Sequence, residues 1–288
     1  MKRSRIGYWL FLAPVLIAFS MVQIFPAIKG IYYSFTDWIG VGADKNFVGL
    51  ANYKYILTKD PQFIHAFGFT FLFAMCAVIL VNLVGFFLSL LVTQKIKCAN
   101  LFRGIFFMPN LIGGILLGFT WQFIFVQVFD ALGKALNMPG LQGWLSNKQT
   151  GFFGLLIVVV WQLSGYMMLI YIAQIQNIPD SVLEAAAIDG ASGFSKLKSI
   201  ILPLMVPAFT IGLFLSISTS FKLFDQNVAL TNGGPNNSTQ MLALNIYNTA
   251  FAENDFGIAQ AKAMLFLIVV AGISLIQLWF TKRKEVEM

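Results

Sequence analysis

Residues Pro179 to Pro203 read PDSVLEAAAIDGASGFSKLKSIILP, a polar stretch set between two long apolar runs. Taken alone, it predicts two short helices with a break between them. Ser181 and Glu184 have the spacing of a capping box, in which the serine accepts from an early helix N–H and the glutamate reaches back. Pro179 just upstream suits the start of a helix. Glu184-Ala185-Ala186-Ala187 is a run of strong helix formers. Gly190 permits a sharp turn. Phe194 to Leu202 is amphipathic and carries Lys196 and Lys198. Pro203 is expected in the first turn of the next apolar helix, where a missing N–H does no harm. Small side chains let such a hairpin seat in the groove of a soluble partner. The plainer reading is a polar connector between membrane helices.

The surrounding composition decides where that hairpin sits. The chain has 288 residues, 58% of them hydrophobic and 11% charged, with a mean hydropathy of +0.77. Ordinary soluble domains are about one quarter charged. The chain is therefore expected to be an all-α integral membrane protein, a single transmembrane domain over residues 1–288. About twenty apolar residues cross a bilayer, and six runs qualify, at about 8–28, 66–93, 104–129, 151–174, 204–224 and 259–280, with the hairpin at 179–203 between the fourth and fifth. The first run is long for a signal peptide and lacks a small-residue cleavage site, so it reads as a retained helix. Pro109, Asn110 and several glycines predict a bent third span. The stretches from Asp130 to Thr150 and from Asp225 to Ile258 read as loops.

Charge orients the chain. Lys2, Arg3, Arg5, Lys95, Lys97, Arg103, Lys196, Lys198, Lys282, Arg283 and Lys284 fall on the side of the termini. Lys29, Lys45, Lys54, Lys59, Lys134 and Lys148 fall on the other, in longer loops. Basic residues near span ends favour the cytoplasm. Both termini and the hairpin are expected inside, in a bacterial cytoplasmic membrane. The net charge of +7 thus reads as membrane topology, not as a nucleic-acid surface.

Catalysis finds little support. The pattern G-x-x-x-x-G-K-[ST] does not occur, so the chain is not itself an ATPase. Cys76 and Cys98 show neither a disulfide framework nor metal spacing. His65, the one histidine, reads as an interfacial residue. Polar side chains inside the spans instead suggest a transport path, because such groups must face a cavity or another helix. Trp161, Gln162 and Tyr166 cluster on the fourth span. Ser218, Lys222 and Asp225 lie on or just past the fifth, with Lys222 and Asp225 three apart and so expected on one helix face. Trp121 on the third is similar. Trp and Tyr offer a flat apolar face with a polar handle, which suits a sugar ring.

The spacing within the hairpin resembles something known. Glu184-Ala185-Ala186, three residues, Gly190, nine residues, Ile200, one residue and Leu202-Pro203 is similar to the EAA loop of ABC importer permeases. Asp189 and Ala191 beside Gly190 resemble the sugar-importer version. Phe47 to Tyr53 resembles the FxGLxNY segment of the same family. Thr231-Asn232-Gly233-Gly234-Pro235 resembles its T-x-GGP string, a likeness that Ile246-Tyr247 to Phe251 continues. The chain looks like a MalF/UgpA-type carbohydrate permease in a compact six-span form. The resemblance implies a cytoplasmic loop docked on an ATP-binding subunit through Glu184, Ala185, Ala186, Asp189, Gly190, Ala191, Ile200, Leu202 and Pro203. In that arrangement Glu184 caps and orients the coupling helix and Gly190 allows its turn. It also implies a second related permease, an ABC ATPase dimer and an extracytoplasmic sugar-binding protein, with ATP and Mg held by the ATPase and no cofactor in this chain. Tyr166 matches a substrate-binding position of the family. Lys222 and Asp225 stand where relatives carry neutral amides. A sugar or oligosaccharide of the raffinose or multiple-sugar type is the expected cargo. The competing class is an ion-coupled secondary transporter, which would need a carboxylate inside the membrane; the spans as drawn contain no Asp or Glu.

Overall fold

The computed structural model describes residues 2–40, 42, 45–94 and 97–283. Lys95 and Lys284, used in the charge count, lie outside the described residues. In chain order the helices are α1 (Lys2–Phe19), α2 (Phe25–Tyr33), α3 (Ala51–Lys59), α4 (Pro61–Thr93), α5 (Ala99–Phe107), α6 (Gly114–Phe123), α7 (Phe129–Ala135), α8 (Lys148–Gln176), α9 (Asp180–Ile188), α10 (Gly193–Lys196), α11 (Leu202–Leu204), α12 (Val206–Phe221), α13 (Asp225–Leu230), α14 (Leu242–Phe251) and α15 (Phe256–Lys282). Among the described residues, five helical runs are long and apolar enough to cross a membrane. The pair Gly193–Leu204 and Val206–Phe221, bent by 67°, makes a sixth when taken together as one broken span.

Prolines follow two of the three π turns among the described residues. Proline lacks an N–H and its ring clashes with the carbonyl four residues back. At Pro26 and Pro203 the helix widens into a π turn just beforehand, at Ser20–Ile24 and Leu197–Ile201. The residue preceding each proline then bonds five residues back, Phe25 N–H to Ser20 O and Leu202 N–H to Leu197 O. Pro203 therefore does not open the fifth span. It lies inside the hairpin's second arm, and the chain turns at Met205, with Pro207 near the start of α12.

Two other expectations need correcting. The third span is broken, not bent: α5 ends at Phe107, Met108–Leu111 form a 3₁₀ turn, and the membrane-length run is Gly114–Ala135. The stretch from Asp225 to Ile258 is not a loop. It holds α13 and α14, and Asn227, Thr239, Gln240, Met241 and Leu242 in it are buried.

The chain forms two compact units. The first comprises residues 1–63 and 245–268. Here Asn52 pins the segment after α2 by donating to the carbonyls of Ser34 (3.0 Å) and Thr36 (2.9 Å), while the Tyr53 hydroxyl donates to Ser34 Oγ at 2.7 Å. The FxGLxNY residues thus have a local structural task. Beside them Asp37 closes the loop by accepting from the Asn46 backbone (2.6 Å) and side chain (3.0 Å).

The second unit comprises residues 64–244 and 269–288 and carries the main apolar core. Its centre is α8, buried along much of its length through residues such as Leu155, Val159, Met167 and Tyr171. The Asn147 side chain caps the start of α8 by accepting from Thr150 N–H at 2.9 Å, as an N-cap asparagine does. α13 lies tight against α6. A Cβ at Gly118 would come within 2.5 Å of Ala229 Cβ, and one at Gly114 within 2.7 Å of Asp225 Cβ. The turn after α13 is a buried knot around Asn227, whose amide donates to Thr239 O and accepts from Met241 N–H.

Candidate functional site

The hairpin is built by the local signals its sequence carries, with one exception. α9 begins after Pro179, whose extended backbone (φ −60°, ψ 135°) makes it the N-cap. No side chain caps this helix, so the Ser181–Glu184 capping box does not form. Proline has already removed one of the orphan donors, and Glu184 points to solvent. Gly190 has φ +78°, a left-handed conformation that glycine adopts freely. Behind it Ala191 N–H reaches Ala186 O at 2.9 Å. Lys196 Nζ crosses to Leu183 O at 3.1 Å and ties the two arms together.

Between the arms runs a groove of about 450 Å³ lined by Ser181, Val182, Ala185, Ala186, Asp189, Ala191 and Ile200. The structure thus gathers Ala185, Ala186, Asp189, Ala191 and Ile200 on one surface. Glu184, Gly190, Leu202 and Pro203 lie outside that lining. Ile188 and Phe194 stand 86% and 75% exposed on either side of the turn.

Within the second unit, three elements bring most of the path candidates together. Trp121 on α6 and Trp161 on α8 meet edge to face with ring centres 5.5 Å apart. Gln162, next to Trp161, is buried. Its amide donates to Ile112 O (3.2 Å), in the break before α6, and accepts from Gln226 Nε2 (2.6 Å) on α13. Asp225, exposed, opens α13 against Gly114. Tyr166 is four residues beyond Gln162 and so on the same face of α8.

Lys222 and Asp225 do not share a helix. α12 ends at Phe221, Lys222 is its C-cap, and Asp225 starts a new element. Among the described residues the two form no ion pair. Ser218 is half-buried on α12, while its neighbour Ser216 joins a hydrogen-bond network described below.

Three features escaped the sequence reading. Gln226 is a neutral amide that bonds Gln162, yet beside a charged Asp225 in an apparent loop nothing marked it. Lys262 was passed over in the sixth span, although a lone cation in an apolar run is a signal in its own right. It is 2% exposed. It pairs with Asp60 at 2.8 Å and donates to Asn245 Oδ1 (3.1 Å) and Thr249 Oγ1 (2.7 Å). These partners take all three of its N–H donors. A polar cavity of about 220 Å³, bordered also by Tyr55, Glu253 and Asp255, opens beside it. The third feature is the pair of ties that Tyr171 and Gln174 make from α8.

Residues 83–286 match the family described as the inner membrane component of binding-protein-dependent transport systems. The chain is 48% identical over 286 residues to a protein of Thermoanaerobacterium thermosulfurigenes named as a probable starch degradation products transport system permease, AmyD, covering 99% of this chain and 97% of the relative. It is 35% identical over 283 residues to the multiple sugar-binding transport system permease MsmF of Streptococcus mutans, covering 96% of each. The crystal structure of a bacterial ABC transporter involved in import of the acidic polysaccharide alginate contains a chain that superposes with a TM-score of 0.85, covering 98% of this chain and 96% of that one. Its identity is 18%, so that likeness is one of fold. Matched over most of its length, the chain belongs to the membrane-embedded inner-membrane components of binding-protein-dependent transport systems.

Proposed function

We propose that this chain is one permease subunit of an ATP-driven importer, working with a second, related permease to carry sugars across the membrane. The observation that carries the proposal is its 48% identity, over 99% of its length, to a relative named for starch degradation products. Oligosaccharides released from starch are accordingly the first cargo to test, ahead of the raffinose type. The whole chain acts as one permease domain.

The hairpin α9–α11 is the docking element for an ABC ATPase dimer, and it lies on the cytoplasmic side with both termini. Its exposed Ile188 and Phe194 are apolar knobs of the kind that burial against a partner stabilises. ATP and Mg belong to that partner. An extracytoplasmic binding protein delivers the sugar. Trp121, Trp161 and Gln162 line the path, joined by Gln226 and Asp225, with Tyr166 one turn along. Ser218 and Lys222 lie toward the end of α12 on the same path.

The test is reconstitution in liposomes with the neighbouring permease, the ATPase and the binding protein. Labelled maltooligosaccharide should enter only when ATP is inside with the ATPase, and sugar-loaded binding protein should raise hydrolysis several-fold. Uptake driven by an ion gradient without ATP would assign the chain to the secondary transporters.

A further inference from the structure

The hairpin is only as useful as its grip on the spans, and two sets of part-buried hydrogen bonds supply that grip. The first lies at its base. Gln174, in the last turn of α8, donates from Nε2 to the carbonyl of Leu204 at 2.9 Å. Leu204 ends α11, just before the 67° bend at Met205. Carbonyls at a helix end have no partner within the helix. Gln174 thus closes the hairpin at the point where it joins the spans, and does so by satisfying a group that the bend leaves open.

The second set lies one turn back along α8. Tyr171 and Gln174 are three apart and so share a face. The Tyr171 hydroxyl, fully buried, donates to Asn82 Oδ1 on α4. The Asn82 amide donates in turn to Ser216 Oγ on α12 at 2.8 Å and to Val78 O at 2.7 Å. The Ser216 hydroxyl donates to Leu213 O at 3.1 Å. The three helices approach closely here, since a Cβ on Gly212 would strike the Tyr171 hydroxyl. Among apolar side chains a broken link leaves a polar group unpaired at a cost in free energy, so the members of this chain favour moving together.

We infer that Gln174 and the Asn82–Tyr171–Ser216 chain are the positioning residues that couple the hairpin to the spans. They make α4, α8, α12 and the hairpin base one mechanical body. A push on the Gly190 end is then carried into the path rather than lost as the hairpin's two ends spread. This inference rests on the proposed docking of the hairpin to an ATPase.

The experiment measures sugar transported per ATP hydrolysed in the reconstituted system, with Gln174→Glu and Gln174→Lys compared. Ionised glutamate keeps the size but cannot donate to a carbonyl, whereas lysine restores a donor. Gln174→Glu should retain assembly and ATP hydrolysis while transport per ATP falls about tenfold, and Gln174→Lys should recover most of that ratio. Tyr171→Phe, which removes one hydroxyl, should lower the ratio in the same way. An unchanged ratio in Gln174→Glu and Tyr171→Phe overturns the inference, as does an equal loss of assembly in both Gln174 variants, which would mark the residue as structural. If the wild type itself shows no ATP-dependent uptake, it is the importer reading that fails.

Discussion

At the scale of single residues, one charge stands out. Lys262 sits at 2% exposure among Asp60, Asn245 and Thr249. Its net worth against a well-packed apolar residue is small, but removing one partner of a buried pair leaves the other uncompensated. Asp60 also holds the first turn of α4, accepting from Phe63 N–H at 2.8 Å. Lys262→Met should cost about 3–5 kcal/mol, read as thermal or denaturant unfolding of the purified protein, and a loss below about 1 kcal/mol would show that the pair is dispensable. Asp37 offers a pH signature outside the spans. The Asn46 side-chain amide, then its backbone N–H, hold the Asp37 carboxyl below its ordinary 3.8. The folded value is depressed, so the stabilisation of the 37–46 loop is present above the ordinary carboxylate range and is lost as pH falls through the folded midpoint. A nuclear magnetic resonance titration should place that midpoint under 3.8, and Asn46→Ala should return it upward; identical midpoints in the two proteins would mean that the Asn46 bonds do not hold in solution.

At the scale of elements, the close seat of α13 on α6 sets the geometry of the aromatic and amide cluster. Ala229 lies against Gly118, and Asp225 against Gly114. Small residues let helix backbones approach where lipid supplies no hydrophobic drive. Gly118→Leu should therefore push α13 outward and destabilise the protein by about 1–3 kcal/mol, the usual cost of overpacking. It should also separate Gln226 from Gln162, lowering sugar transport more than it lowers insertion; wild-type stability together with wild-type transport would show that α13 has room to shift. The π turns before Pro26 and Pro203 carry a different lesson. A proline inside a helix need not end it when a wider turn precedes it. That is why the first span runs on to Tyr33 and the hairpin's second arm runs on to Leu204.

At the scale of the whole molecule, the charge distribution makes a topological claim that labelling can check. With Cys76 and Cys98 changed to serine, Lys198→Cys should be shielded from an impermeant thiol reagent in intact cells, and Met138→Cys should react. The reverse pattern would turn the protein over and place the hairpin out of an ATPase's reach. The sequence by itself determined the class of the protein, because span length and hydropathy are local properties that a bilayer reads directly. It also determined the hairpin, since Pro179, the alanine run and Gly190 each act within a few residues of themselves, and their fixed offsets sufficed to mark the family. Only the tertiary structure decided the rest. Lys262 draws its partners from positions 60, 245 and 249, Tyr171 from 82 and Gln162 from 226. The seat of α13 turned an apparent loop into a buried element, and the end of α12 at Phe221 parted Lys222 from Asp225. No local pattern specifies such pairs. Each polar group could have been satisfied by several partners, and the packing of helices distant in sequence chose among them.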